Sequence, residues 1–347
     1  MRILYLILVL TLLSSCRKRE VPSVSEPAKE KPVEVSFSSG INVAVESSSR
    51  VPFEGSTLPV NSEVGVFGIL ADTSYPEDYT IEQLMNGNAI PQDYLYNEEY
   101  VVTSENGDMQ QKYIAIYPTK DSGYDGLCFY AYYPHDPEII YNPSEEGTTY
   151  LLPVTLNSNS MEESVDYLYT GQVVQQTPVA SQKTVLPFKH ALGRLKFAFN
   201  TTNDKILSKV TEIHVYANCS PKGVMSIEDG TCVPDNTKAS VRYKYNLNEI
   251  ITGSEPFLTA DFMLFPNVRI NTIYCFISTE DGEAVRYQLY SYNTSVNKIN
   301  LEAGQFTKIS VNFTPKEVQL TGDVSTWIEQ GTDNVNIDEE TGEVTHE

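Results

Sequence analysis

Phe188-Lys189-His190-Ala191-Leu192-Gly193-Arg194-Leu195-Lys196-Phe197-Ala198-Phe199 is the stretch on which the fold turns. Leu195, Phe197 and Phe199 alternate with Arg194, Lys196 and Ala198. Successive side chains of a strand point to opposite faces, so a period of two reads as a strand with one buried face. The same pattern recurs down the chain. Ile213 and Val215 alternate with Glu212, His214 and Tyr216, and Ile309, Val311 and Phe313 alternate with Lys308, Ser310 and Asn312.

Other apolar runs are expected to be buried on both faces or nearly so: 64–70, 113–117, 127–133 and 273–277. They are rich in Val, Ile, Tyr and Phe, which suit a pleated surface. Turn chemistry separates the runs, as in Asn106-Gly107-Asp108, Asp121-Ser122-Gly123, Asp229-Gly230 and Asp281-Gly282. Helical spacing is scarce. Residues 79–85 could make two turns, capped by Thr80 and stopped by Gly87, and 203–209 could make one. The chain is therefore all-β, built as sandwiches. Gln, Thr, Ser and Pro178 crowd residues 172–184, a linker composition. A domain boundary is placed near 185–190, dividing the body into 36–187 and 188–347.

The N-terminus reads differently. Met1-Arg2 is followed by an apolar run, 3–13, too short for a bilayer span of about 20 residues and suited to a signal peptide. It ends in Leu13-Ser14-Ser15-Cys16, a bacterial lipobox, which assigns 1–15 as the leader and Cys16 as the lipid-bearing residue. Two or more acyl chains anchor stably. Arg17 follows, where Asp would signal inner-membrane retention, so an outer membrane is expected. Residues 16–35 alternate Pro with Ser, Glu and Lys and read as a tether that cannot bury enough surface to offset chain entropy.

The formal net charge is −22. Residues 51–347 carry 17 basic and 41 acidic side chains, a net charge of −24. Phosphate backbones would be repelled, so nucleic acid is excluded as a partner. Beyond Cys16 stand Cys128, Cys219, Cys232 and Cys275. An exported protein can form disulfides. Cys219 and Cys232 could close a hairpin, or all four could be buried thiols. There is no CxxC, and no metal or cofactor is expected.

Catalytic signatures are absent: no GxSxG, HExxH, P-loop or Rossmann fingerprint. Four histidines, His135, His190, His214 and His346, leave little scope for a triad. The chain is read as a non-enzyme. Its 23 tyrosines suit half-buried strand faces, or rows on which sugars stack. The second use would make it a surface glycan-binding lipoprotein that does not polymerise.

An ordered series of segments carries a resemblance. Val35-Ser36-Phe37 and Ser49-Arg50 precede Val64-Gly65-Val66-Phe67-Gly68. Leu127-Cys128-Phe129-Tyr130-Ala131-Tyr132-Tyr133-Pro134, then residues 188–197, then Met263-Leu264-Phe265-Pro266 follow. In this order they resemble the fimbrillin family, lipoprotein-derived pilins of gut and oral anaerobes, in its minor-fimbrillin-like branch. The resemblance implies two transthyretin-like β-sandwich domains and a place in cell-surface fimbriae that mediate adhesion. It also implies maturation by an Arg-specific protease, which frees the first strand, and assembly with other subunits by donor-strand β-augmentation. On this chain the implied cut is after Arg50, with 41–45 as a releasable strand. The implied donor lies within 317–347, where Val318, Leu320 and Trp327 stand.

Overall fold

The computed structural model describes residues 35–41, 57–71, 95–111, 126–144, 147–175, 183–201, 209–250, 258–278, 284–292, 299–313, 317–321, 335–338 and 344–346. Within them the first strands are β1 (Phe37–Ile41), β2 (Glu63–Ala71), β3 (Glu98–Val102), β4 (Met109–Gln111), β5 (Gly126–Tyr133), β6 (Ile140–Ser144), β7 (Gly147–Thr155), β8 (Leu168–Tyr169), β9 (Val173–Gln175) and β10 (Thr184–His190). Next come β11 (Gly193–Thr201), β12 (Lys209–Ala217), β13 (Lys222–Ser226), β14 (Cys232–Pro234), β15 (Val241–Ile250), β16 (Leu258–Leu264), β17 (Ile270–Ser278) and β18 (Ala284–Ser291). The last are β19 (Phe306–Phe313), β20 (Glu317–Thr321), β21 (Val335–Asp338) and β22 (Val344–His346). One 3-10 turn, Met161–Glu163, is the only helical element among the described residues. The chain is all-β, as its two-residue period requires. The two helical segments expected from sequence, at 79–85 and 203–209, and the run at 113–117 lie outside the described residues, save that Lys209 opens β12.

The first sheet runs β1-β10-β8-β5-β2-β3-β4, with β9 also on β5. A bridge between Ser38 and Asp108 brings β1 back beside β4, so the sheet curls into a barrel-like wall. Closure removes the unpaired edges that open sheets expose. Phe37, Val64, Val66, Tyr100, Phe129 and Phe188 share the core enclosed by that wall. On the outer side of β2 and β5, Phe67, Tyr130 and Tyr132 belong to the larger core, together with Tyr150, Leu152 and Val154 of β7. Phe67 and Tyr150 meet with ring centroids 5.2 Å apart. Residues 64–68 and 128–132 are thus buried on both faces, as expected, because an apolar layer lies on each side. The glycine in Val64-Gly65-Val66 has a packing reason, since a Cβ on Gly65 would run into the ring of its cross-strand partner Tyr132.

The later strands make two sheets, β16-β11-β19-β20-β21-β22 and β15-β12-β17-β18. Leu195, Phe197 and Phe199 of β11 share one core with Ile213 and Val215 of β12 and with Ile273 and Cys275 of β17. Tyr245 of β15 meets Phe262 of β16 at 5.7 Å, which stitches the two layers of the sandwich. A small sheet, β14-β13-β7-β6, joins the halves: Lys222 to Ser226 pair with Thr155 to Leu151. The expected division at 187/188 runs through β10, which pairs with β1 and β8. Residues 33–347 form one compact unit.

Two expectations need correction. The stretch 273–277 was expected to be buried on both faces or nearly so, yet β17 alternates: Ile273, Cys275 and Ile277 are buried, while Tyr274 and Phe276 are only half-buried. One face of that strand meets the core and the other is half-buried. Conversely, β11 was expected to have one buried face, but Arg194 and Ala198 are buried too. The Arg194 guanidinium pairs with Asp261 on the neighbouring β16 at 2.9 Å and lies 5.7 Å from the ring centre of Phe306. A charged residue in the alternation marked a buried ion pair here, not a solvated face.

Candidate functional site at the first strand

The strand β1 sits in a slot. On one side it runs parallel to β10 over five residue pairs, Phe37 with Thr184 through Ile41 with Phe188. On the other it meets the turn before β4: Ser39 N donates to Gly107 O at 2.8 Å, and the Ser38–Asp108 bridge lies beside it. Phe37, Ser39 and Ile41 are buried and alternate with half-buried Ser38 and Gly40. Phe37 is the anchor. Its ring stands edge-on to Tyr100 at 5.0 Å and to Phe129 at 4.8 Å. Burying one such side chain contributes about 1.5–3 kcal/mol.

Ser39 is the polar key. Its hydroxyl donates to Gly107 O at 3.4 Å and accepts from Leu58 N at 3.2 Å, so a buried hydroxyl is satisfied and two loops are tied to β1. Gly107 has φ +79°, and a Cβ there would lie 2.5 Å from Ser39 Oγ. Glycine is needed for the backbone conformation and for the close approach. Above the slot, Lys183 Nζ reaches Asp108 at 2.5 Å, linking the residue before β10 to the residue before β4 across β1. Hydrogen bonding and charge from Lys183 hold the Asp108 carboxyl below its ordinary value. At the far end of β10, the rail on which β1 lies, His190 Nδ1 and Asp166 Oδ2 are 2.8 Å apart and both side chains are buried.

A model of the family described as fimbrillin-like matches residues 50–327. The chain belongs to the fimbrillin-like family. Solved structures similar to this fimbrillin-like chain include a candidate cell adhesion protein from Bacteroides ovatus ATCC 8483, 18% identical, with TM-score 0.56 over 87% of this chain and 99% of that one. A candidate cell adhesion protein from Bacteroides uniformis ATCC 8492 is 15% identical, with TM-score 0.55 over 86% and 99%. A fimbrial protein from Bacteroides vulgatus ATCC 8482 is 14% identical, with TM-score 0.51 over 84% and 99%. At these identities the likeness is one of fold. No curated protein matches the sequence.

Cys16, Arg50 and Trp327 of the fimbrillin-like chain lie outside the described residues. The strand offered as releasable, 41–45, shares only Ile41 with β1; residues 42–45 are outside the described set. Val35, Phe37, Ser39 and Ile41 already alternate in the sequence, and in the structure all four are buried. Cys219 and Cys232 are separate buried thiols in the structure. Cys219 Sγ lies 3.1 Å from Tyr243 Oη, and burial pushes the Cys232 thiol up to about 12 and the Cys128 thiol up to about 11. Such thiols remain protonated and unreactive at neutral pH. His190 was read as a packing residue. Its partner Asp166, 24 positions earlier in a loop, carried no signal in the sequence.

Proposed function

We propose that this chain is a subunit or accessory of cell-surface fimbriae, exported as a lipoprotein on Cys16, cut after Arg50 and assembled by strand exchange at the β1 slot. The observation that carries the reading is the place of β1. It precedes Arg50 in the chain, fills the slot with Phe37, Ser39 and Ile41, and is held by one five-pair ladder and one bridge. A cut at Arg50 would leave β1 on the lipid-bearing piece and start the body at Val51. Loss of the anchor and opening of the slot would be one event. The vacated groove would present a β10 edge and the Phe37 pocket, which an extended strand can fill by main-chain pairing and alternate side chains.

The donor in this reading is the C-terminal stretch of a neighbour. In this chain β20, β21 and β22 lie successively at the end of their sheet. The division into domains 36–187 and 188–347 is part of the same proposal. The sheet shared between β7 and β13 implies that the two halves unfold together. The role is structural, at the outer membrane and cell surface.

The test is the mature N-terminus and the assembly state together. Membranes and sheared surface material are analysed by mass spectrometry, before and after a trypsin-like protease, for the native chain and for Arg50→Ala. The expected result is Val51 as the N-terminus in sheared material, ladders resistant to mild detergent, and loss of both in Arg50→Ala. Acylated Cys16 alone in every fraction, with no ladder after proteolysis, would overturn the reading.

A further inference from the structure

The sheet β15-β12-β17-β18 buries one face in the core and turns the other outward. A register shift between Val210 and Glu212 sets the phase of β12, so that Ile213 and Val215 point in and Tyr216 points out. Cross-strand pairing aligns Arg242 with Tyr216, and aligns Lys244 and Tyr274 on either side of His214. It also sets Phe276 opposite Arg286. Three half-buried rings, Tyr216, Tyr274 and Phe276, therefore share one surface with three cations, Arg242, Lys244 and Arg286. Tyr216 stands edge-on to Tyr274 at 5.9 Å, and the Arg286 guanidinium carbon lies 4.8 Å from the Tyr274 ring centre. The carboxylate of Glu212 on this face is already held by Lys244 at 2.6 Å and His214 at 2.9 Å.

This is a local reversal of sign. The body carries 41 acidic side chains against 17 basic ones, yet this face gathers cations around aromatic rings. Tyrosine presents an apolar face with a polar tip, the pairing of properties that stacks on a sugar ring. Guanidinium and ammonium groups beside it match carboxylates. We propose that this face binds a saccharide bearing carboxylates, with sugar rings laid against Tyr216 and Tyr274 and acid groups met by Arg242 and Arg286. The acidic body narrows the class. A densely charged polyanion is repelled by it, whereas a sugar with isolated carboxylates meets mainly the local cations. A second copy of the chain fits less well, since the ring pair Tyr216–Tyr274 is bordered by Arg242 and Arg286, whereas the core of a stable interface is depleted of charge. The inference does not depend on strand exchange.

The test uses the purified full chain with immobilised hyaluronan oligosaccharide as the probe, and with neutral dextran and heparin as comparators, read by interferometry at low and physiological salt. The expected result is salt-sensitive binding to hyaluronan that exceeds binding to dextran and to heparin. Arg242→Glu and Tyr274→Ala should each weaken hyaluronan binding at least about tenfold. Lys222→Glu, on β13, should leave it unchanged, and unchanged thermal melting shows that the variants fold. Three results overturn the proposal: no binding to hyaluronan, equal binding to dextran, or full binding by Arg242→Glu and Tyr274→Ala. Loss of self-association by Arg242→Glu in sedimentation, with no saccharide binding by the parent chain, assigns the face to a second copy and also overturns it.

Discussion

Strands β1 and β11 each lie beside a parallel partner and each bury a phenylalanine completely, Phe37 in one and Phe197 in the other. Their surroundings differ. β11 pairs over seven residues with β16 and over eight with β19, and both of its faces are covered. β1 has five pairs on one side and a bridge on the other, and its stake is concentrated in Phe37, Ser39 and Ile41. Equal burial therefore does not mean equal commitment. β11 is flanked by long ladders inside the second sandwich and cannot leave without dismantling it. β1 is an inserted piece whose departure would open a groove and leave the other ladders of its sheet in place.

The largest expected effect tests that contrast directly. Phe197→Ala should destabilise the whole body by about 3–5 kcal/mol, read as a lowered denaturant midpoint. Phe37→Ala removes a ring of the same size, but its global cost is capped by the docking energy of β1. It should show mainly as faster amide exchange across 37–41. Equal midpoint shifts in the two variants would erase the distinction.

Next comes the ion pair that sits under β11. Asp261→Ala removes the carboxylate that pairs with Arg194 in a site where the guanidinium-bearing side chain is 3% exposed, and should cost about 3 kcal/mol or more in a chemical denaturation series. Replacing both partners with apolar residues should recover much of that loss. A single variant that melts like the parent would show that the pair is not what holds β16 to β11.

Gly107→Ala should act more locally. It places a methyl 2.5 Å from Ser39 Oγ, a clash relieved only if β1 shifts, and adds roughly 1–3 kcal/mol of backbone strain at φ +79°. Amide exchange at 37–41 and cleavage by added protease should rise, while β11 stays protected. Protection of β1 equal to the parent would mean that the slot yields elsewhere.

The smallest effect belongs to the Lys183–Asp108 link, which is surface-exposed and screened by salt. Because the folded Asp108 carboxyl is held below its ordinary value, the stabilisation is present at neutral pH. It is lost as pH falls through that lowered value. In Lys183→Ala the acid-dependent loosening of β1, followed by amide exchange, should disappear. Persistence of the same pH profile would remove the link from the slot.

Much of the fold was legible because strand alternation needs only local information. Residues 64–70 and 127–133 read as strands buried on both faces, and β2 and β5 occupy them. Where the reading of 273–277 went astray, the cause was composition. Tyr and Phe look like core residues, yet on β17 Tyr274 and Phe276 lie on the half-buried face, opposite Ile273, Cys275 and Ile277. Arg194 misled in the opposite direction, since its carboxylate partner lies 67 positions away. The slot was half legible. Val35, Phe37, Ser39 and Ile41 alternate visibly, but parallel pairing with β10 joins residues about 147 positions apart, as Phe37 and Thr184 show. No local pattern reports such a partner.

By itself the sequence determined the all-β class, the acidic body and the isolation of Arg50 as the one basic residue between Lys31 and Lys112, because period, composition and spacing are local properties of the chain. Only the tertiary structure decided that the strand before Arg50 is the closing piece of a barrel-like wall. It also decided that His190 meets Asp166, and that rings of β12 and β17 gather with cations of β15 and β18 on one outer face. Those facts depend on which distant strands become neighbours, and that choice is made by long-range packing.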